Sequence, residues 1–266
     1  MRVSPWLAGL LLSAVLAPSV AAKPDKELVS NELPPWAERP DQVKVEIAER
    51  LVFEKKQYVT ALNLIGTLRK DGLNAPVLDL LQGVCMREQG LYEEAERLLL
   101  SAKKRTPGDG RVHNSLCVLY ADQQRLDEAV ASCRKATKVD SDDASSFNNL
   151  AYLLLVTDQP DDALEAAQSA VDLDPTEPRY RNNLGFIQAR LGDTKRAFRT
   201  FSSVGSPADA RYNVAVAYER YNDDIDEARV WYADALEADP DHTPSREALE
   251  RLQSPEATPV ADEDTP

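Results

Sequence analysis

His113 and Cys117 stand one helical turn apart, the spacing at which an imidazole can activate a thiol as a nucleophile. That chemistry needs a third group to orient the base, and the sequence supplies none at a matching spacing, so the pair reads as packing. The chain holds two histidines, His113 and His242, and three cysteines, Cys85, Cys117 and Cys133. It has no CxxC, HExxH, GxSxG or phosphate-loop pattern, so neither catalytic residues nor a cofactor nor a metal ligand set is assigned, and an enzyme is disfavoured. The acidic pairs Asp142-Asp143, Asp161-Asp162 and Asp223-Asp224 lack the glycine and terminal glutamate of a calcium loop. They read as helix caps, where a carboxylate meets the positive end of the helix dipole.

The elements that carry these residues follow from a repeat. Ala61, Ala95, Ala129, Ala163, Ala197 and Ala228 recur at intervals of 34, 34, 34, 34 and 31 residues. A fixed period of this length is the mark of helical hairpins that cannot bury their apolar faces alone and stack on their neighbours. Twelve residues before the alanines stand Glu49, Gly83, Cys117, Ala151 and Gly185, with Ala215 displaced by one; all but the first are small, as a close helix crossing requires. Seven residues after them come Leu68, Ala102, Ala136, Ala170, Val204 and Ala235, and a loop proline follows at Pro107, Pro175 and Pro240. In this register Cys117 faces Cys133 across one hairpin. A disulfide closing a loop of about 15 residues, worth about 3 kcal/mol on a chain-entropy estimate, and a pair of small buried thiols both fit. Cys85 is then left over as a core thiol.

This pattern of a small residue, an aromatic, an alanine and a loop proline, met by Gly83, Tyr92, Ala95, Ala102 and Pro107, resembles the tetratricopeptide repeat (TPR) family. The resemblance runs from about residue 42 to 242. It implies an all-α, right-handed superhelical solenoid of about six hairpins: 42–75, 76–109, 110–143, 144–177, 178–207 and 208–242. A capping helix is expected over 243–253. The fifth hairpin ends early at Val204-Gly205-Ser206-Pro207 and the sixth carries one extra residue before Ala228, so the repeat is expected to be irregular there.

The same resemblance places the first helix of each hairpin on the concave face, where family asparagines often grip a peptide main chain. It assigns that role to Asn149, Asn183 and Asn213, with Asn114, Asn148 and Asn182 beside them. An amide offers two donors and an acceptor, which suits backbone binding. Arg111, Tyr152, Arg179, Phe186 and Arg190 would add charge and stacking. The expected partner is a protein or peptide segment.

Residues 1–22 read as a secretory signal: one basic residue, Arg2, an apolar core from Leu7 to Leu16, and Val20-Ala21-Ala22 before Lys23. No cysteine lies near that cleavage site, so no lipid anchor is expected, and the product is expected outside the cytoplasm, periplasmic or secreted. Its net charge would be near -15, which repels phosphate backbones and anionic lipid, so nucleic acid is not an expected partner. The proline-bearing stretch 23–41 reads as a linker, and 254–266, with Glu256, Asp262, Glu263 and Asp264, as an acidic disordered tail. An exported TPR chain without a lipid cysteine is similar to envelope adaptors, among them TadD-type proteins of tight-adherence pilus loci and, less closely, PilF-type pilotins. That implies a non-catalytic scaffold in pilus or secretion-system assembly. A periplasmic chaperone for secreted subunits and a regulatory adaptor of a cell-wall enzyme are the other readings.

Overall fold

The computed structural model describes residues 41–253. The stretch 1–22 read as a signal, the one up to residue 40 read as a linker and the acidic stretch 254–266 read as a tail lie outside the described residues. Thirteen α-helices and no strand occur among the described residues: α1 (Asp41–Phe53), α2 (Tyr58–Lys70), α3 (Pro76–Glu88), α4 (Tyr92–Arg105), α5 (Gly110–Asp122), α6 (Leu126–Val139), α7 (Ala144–Val156), α8 (Pro160–Leu173), α9 (Pro178–Arg190), α10 (Thr194–Ser202), α11 (Pro207–Ala217), α12 (Ile225–Ala238) and α13 (Thr243–Gln253). The first helix starts at Asp41, one residue inside the stretch read as linker. Consecutive pairs form hairpins, whose first and second members we call A- and B-helices. The chain divides into two compact units, Met1–Asn149 and Leu150–Pro266, with the division inside α7.

The B-helices bury a narrow stripe, at i, i+3, i+4 and i+7 in α2, α4 and α8, at i, i+4 and i+7 in α6 and α12, and at i and i+4 in the short α10. In α4 it is Ala95, Leu98, Leu99 and Ala102, and in α8 it is Ala163, Ala166, Ala167 and Ala170. Small side chains here let the paired helices approach, and the residue sixteen further on from the small A-helix position fills what remains. A methyl added to Gly83 would lie 2.8 Å from Leu99 Cγ, and one added to Gly185 would lie 2.5 Å from the Phe201 ring. In the third hairpin the same two positions are Cys117 and Cys133, joined as a disulfide with their Cα atoms 5.1 Å apart.

A second periodicity sits in the backbone. Lys56, Gly90, Gln124, Asp158, Gly192 and Asp223 all have positive φ, between 52° and 82°, and they follow the intervals of the alanines five residues later. Each ends an A-helix. The residue after each of the first five donates its N–H five or six positions back, as Leu91 does to the Met86 carbonyl and Arg125 to the Tyr120 carbonyl. This closure satisfies carbonyls that the helix end would leave orphaned.

The expected irregularity takes a definite form in the fifth and sixth hairpins. Helix α10 stops after nine residues, against fourteen in α8, and Ser206 opens the next helix with a capping box to Asp209. The extra residue of the sixth hairpin is absorbed as a π-helical turn, Tyr218–Asn222, continuing α11 and ending at left-handed Asp223. Two of the acidic pairs act as caps, Asp143 Oδ1 accepting from the Ser145 N–H and Asp224 Oδ1 from the Glu227 N–H, whereas Asp161 and Asp162 lie inside the first turn of α8, after its N-cap Gln159, where they meet the positive end of the helix dipole.

Candidate functional site

Both histidines are structural. His113 is buried and its Nε2–H donates to the Pro107 carbonyl at 2.9 Å, while the neighbouring Cys117 sulfur is held in the disulfide. His242 forms a Ser–His–Asp arrangement that resembles a catalytic triad in composition only. Its Nδ1 lies 2.8 Å from Ser245 Oγ and accepts from the Ser245 N–H, and its Nε2–H donates to Asp209 Oδ1 at 3.2 Å. Ser245 has no exposed surface, so the group caps α13 and presents no nucleophile. Burial pushes the Cys85 thiol up to about 12, which keeps it protonated and inert. Among the described residues no three metal-ligating side chains converge, and no helix is long and apolar enough to cross a membrane.

The residues selected as a groove divide between the two units. In the first, Asn149 Nδ2 donates to Asn114 Oδ1 at 2.9 Å, and Asn114 Nδ2 donates to Ser145 Oγ at 3.1 Å. Their amides therefore brace neighbouring A-helices before any ligand arrives. Asn148 is 4 % exposed and faces the protein interior, so it does not serve as a contact. Arg111 is also occupied, by Asp109 and, across to α1, by Glu49 at 2.8 Å.

In the second unit the stripe of α9 formed by Arg179, which is exposed, and Asn182, Asn183, Phe186 and Arg190, which are half-buried, runs at helical spacing, while Tyr180, Leu184, Gly185, Ile187, Gln188 and Ala189 are buried. Glu177 pairs with Arg179 at 2.9 Å and Asp158 with Arg190 at 2.8 Å. Asn182 Oδ1 is buried without a hydrogen-bond donor, whereas Asn213, half-buried on α11, has no side-chain partner among the described residues.

The same unit carries an aromatic cluster that includes Phe186 of this stripe. The Phe186 ring lies edge-on to Phe201 at 5.0 Å and to Tyr221 at 6.1 Å. The Tyr152 phenol is held protonated, first by burial and then by the nearby Tyr221 phenol; for Tyr221 itself burial outweighs the opposing charge of Arg220 and pushes the phenol up to about 12. Both remain neutral hydroxyls at any physiological pH. Tyr221 is absent from the sequence-based selection because its place depends on the π turn, which rotates the residues after Ala217. The extra residue near 222 was the only signal for it.

Two tetratricopeptide-repeat family models match the chain, one over residues 86–145, 119–178 and 148–204 and the other over 208–242. Together they take in more than half of its length. No curated protein sequence matches. Solved structures that resemble it include YrrB, described as a TPR protein with an unusual peptide-binding site, at 22 % identity and TM-score 0.55, covering 70 % of this chain and 96 % of that one. PilF of Pseudomonas aeruginosa resembles it at 14 % identity and TM-score 0.59, with coverage of 79 % and 97 %. MamA does so at 22 % identity and TM-score 0.52, with coverage of 62 % and 92 %. At these identities the likeness is one of fold.

Proposed function

Because the chain belongs to the tetratricopeptide repeat family, whose proteins are interaction scaffolds and not catalysts, we propose that it is a scaffold of the bacterial cell envelope that binds a protein segment on its A-helix faces. The site we assign lies in residues 150–253: Asn183 and Asn213 with Tyr152, Phe186 and Tyr221, and Arg179 and Arg190 at its rim. The observation that carries this reading is Asn213. Its amide is half-exposed and has no partner among the described residues, whereas Asn149 and Asn114 already bond each other. A free amide can take both the N–H and the C=O of a bound main chain, and aromatic faces bury the partner's side chains. YrrB is a peptide binder by its own description, which fits the same mode.

The envelope assignment rests on residues 1–22, and a role in pilus or secretion assembly on the similarity to TadD-type proteins. Sequencing the N-terminus of native protein from the periplasmic fraction should find Lys23 first. An intact Met1 in the cytosol would refute export. For the binding face, Asn213→Ala should weaken partner binding by about threefold to tenfold, taking roughly 0.5 to 1.5 kcal/mol for a lost hydrogen bond, with little change in Tm. Undiminished affinity would move the site elsewhere.

A further inference from the structure

The fifth hairpin is basic in an acidic chain. Residues 178–206 carry Arg179, Arg181, Arg190, Lys195, Arg196 and Arg199 against Asp193 alone, a net charge of +5 where the whole chain has -14. Glu177, Asp158 and Asp193 neutralise Arg179, Arg190 and Arg196. Arg181, Lys195 and Arg199 have no carboxylate at ion-pair distance among the described residues, and Arg199 Nε donates instead to the Lys195 carbonyl. Arg181, Arg199 and the Asp193-paired Arg196 line one cleft of about 510 Å³ with Val171, Leu184, Thr200 and Ser203, on the side of α9 and α10 away from the Asn183 stripe. Elsewhere in the chain the arginine clusters are matched: Arg69 and Arg105 converge on Asp79, Arg87 on Asp122, and Arg125 on Glu96 and Glu128.

We propose that this basic cleft is the docking site of the chain's own acidic segment, residues 254–266, through Asp262, Glu263 and Asp264. Charge complementarity selects that occupant, since the segment carries four carboxylates and no base. Reach permits it. Helix α13 packs on α12, α12 on α11 and α11 on α10. At about 8–10 Å per helix pair the axes of α13 and α10 are separated by no more than about 30 Å. Residues 262–264 follow Gln253 by nine to eleven positions, which span about 30–40 Å when extended at about 3.3–3.6 Å each. Exposed ion pairs are individually weak, but a tether gives an effective concentration on the order of millimolar, enough for a contact that an acidic partner can displace. The proposal is independent of the groove assigned above, because it concerns the opposite side of α9.

The test uses full-length protein with a nitroxide on Thr265→Cys; the Cys85 thiol is buried and the other two cysteines are bonded to each other, so labelling is selective. At about 0.01 M salt, where charges are felt over about 30 Å, the amide signals of Arg196 to Ser203 should be broadened at least twofold. The broadening should vanish at about 1 M salt, where screening shortens to about 3 Å. It should also vanish in R181E/R196E/R199E and return when D262K/E263K/D264K is added to that variant. Absence of broadening at low salt would overturn the proposal, as would broadening indifferent to the charge reversals. Broadening seen only between labelled and unlabelled molecules in a mixture would assign the cleft to a second copy. Cleft shifts caused by an added polyglutamate peptide, without paramagnetic broadening, would assign it to a partner.

Discussion

The two compact units seal the same hairpin architecture with different chemistry. In the described part of Met1–Asn149 the repeat keeps its 34-residue metre, and the gaps are closed by aliphatic side chains, one disulfide and arginine–carboxylate pairs. In Leu150–Pro266 the metre breaks twice, and every ring–ring contact among the described residues lies here: Phe186 with Phe201 and Tyr221, Phe198 with Trp231, Tyr212 with Tyr232 and His242. A backbone in strict register meets its neighbour with small, repeated residues. Where a helix is cut short or a π turn intrudes, the helices no longer mesh and large flat side chains fill the irregular space. The irregular unit is also the one with an unpartnered amide on its A-helix face, because Asn213 has no counterpart, among the described residues, of the braces between Asn149, Asn114 and Ser145.

The sharpest way to break this contrast is Phe201→Ala. It removes the ring that fills the notch at Gly185 and should destabilise the second unit by about 3–5 kcal/mol, measured by urea unfolding. A loss under about 1 kcal/mol would mean that the rings are ornaments on an otherwise sufficient alanine seam. For the first unit the counterpart is Cys117→Ala with Cys133→Ala, expected to lose about 3 kcal/mol. Amide exchange should accelerate in α5 and α6 and stay unchanged in α11 to α13.

A smaller effect tests the ion pairs of the first unit. Burial alone would raise the Asp79 pKa, but hydrogen bonds from Arg69, Ser101 and Arg105 outweigh it and hold the carboxyl below its ordinary value of 3.8. A carboxyl with a depressed folded pKa contributes stability that is fully present above its unfolded pKa and is lost as pH falls through the folded one. Denaturation midpoints should therefore fall with pH below about 4, and Asp79→Asn should flatten that dependence while costing about 1–3 kcal/mol at neutral pH. An equal pH slope in the variant would place the acid sensitivity elsewhere. The smallest change concerns the left-handed turn residues common to both units. Gln124→Gly and Asp158→Gly should each stabilise by about 0.5–1 kcal/mol, since glycine adopts φ near 60° without strain, and Gly90→Ala should destabilise by about 1 kcal/mol. Equal responses in the two units would show that the turn obeys the repeat even where the helices do not.

The hairpin order was legible because it is written in residue size: the alanine period, the small residue twelve before it and the loop prolines all mark helix contacts. The turn period was not, since only Gly90 and Gly192 announce a left-handed backbone, while Lys56, Gln124, Asp158 and Asp223 reach it through the closure of the preceding helix. For the site, repeat position identified which asparagines lie on A-helices but not their bonding state. Asn148 is buried and Asn149 is paired, the latter because of what the preceding A-helix offers at Asn114, a property of packing and not of spacing. Tyr221 was hidden for a similar reason, as one inserted residue changes a helix's phase and so which side chain joins the aromatic cluster.

Photo-crosslinking in living cells tests the central claim most directly. A benzophenone amino acid at Asn213 in the full chain should capture an envelope protein, as should one at Asn183, whereas one at the exposed B-helix position Arg97 should capture nothing above background. Adducts at Arg97 with none at Asn213 would contradict the assignment of the A-helix face as the binding surface.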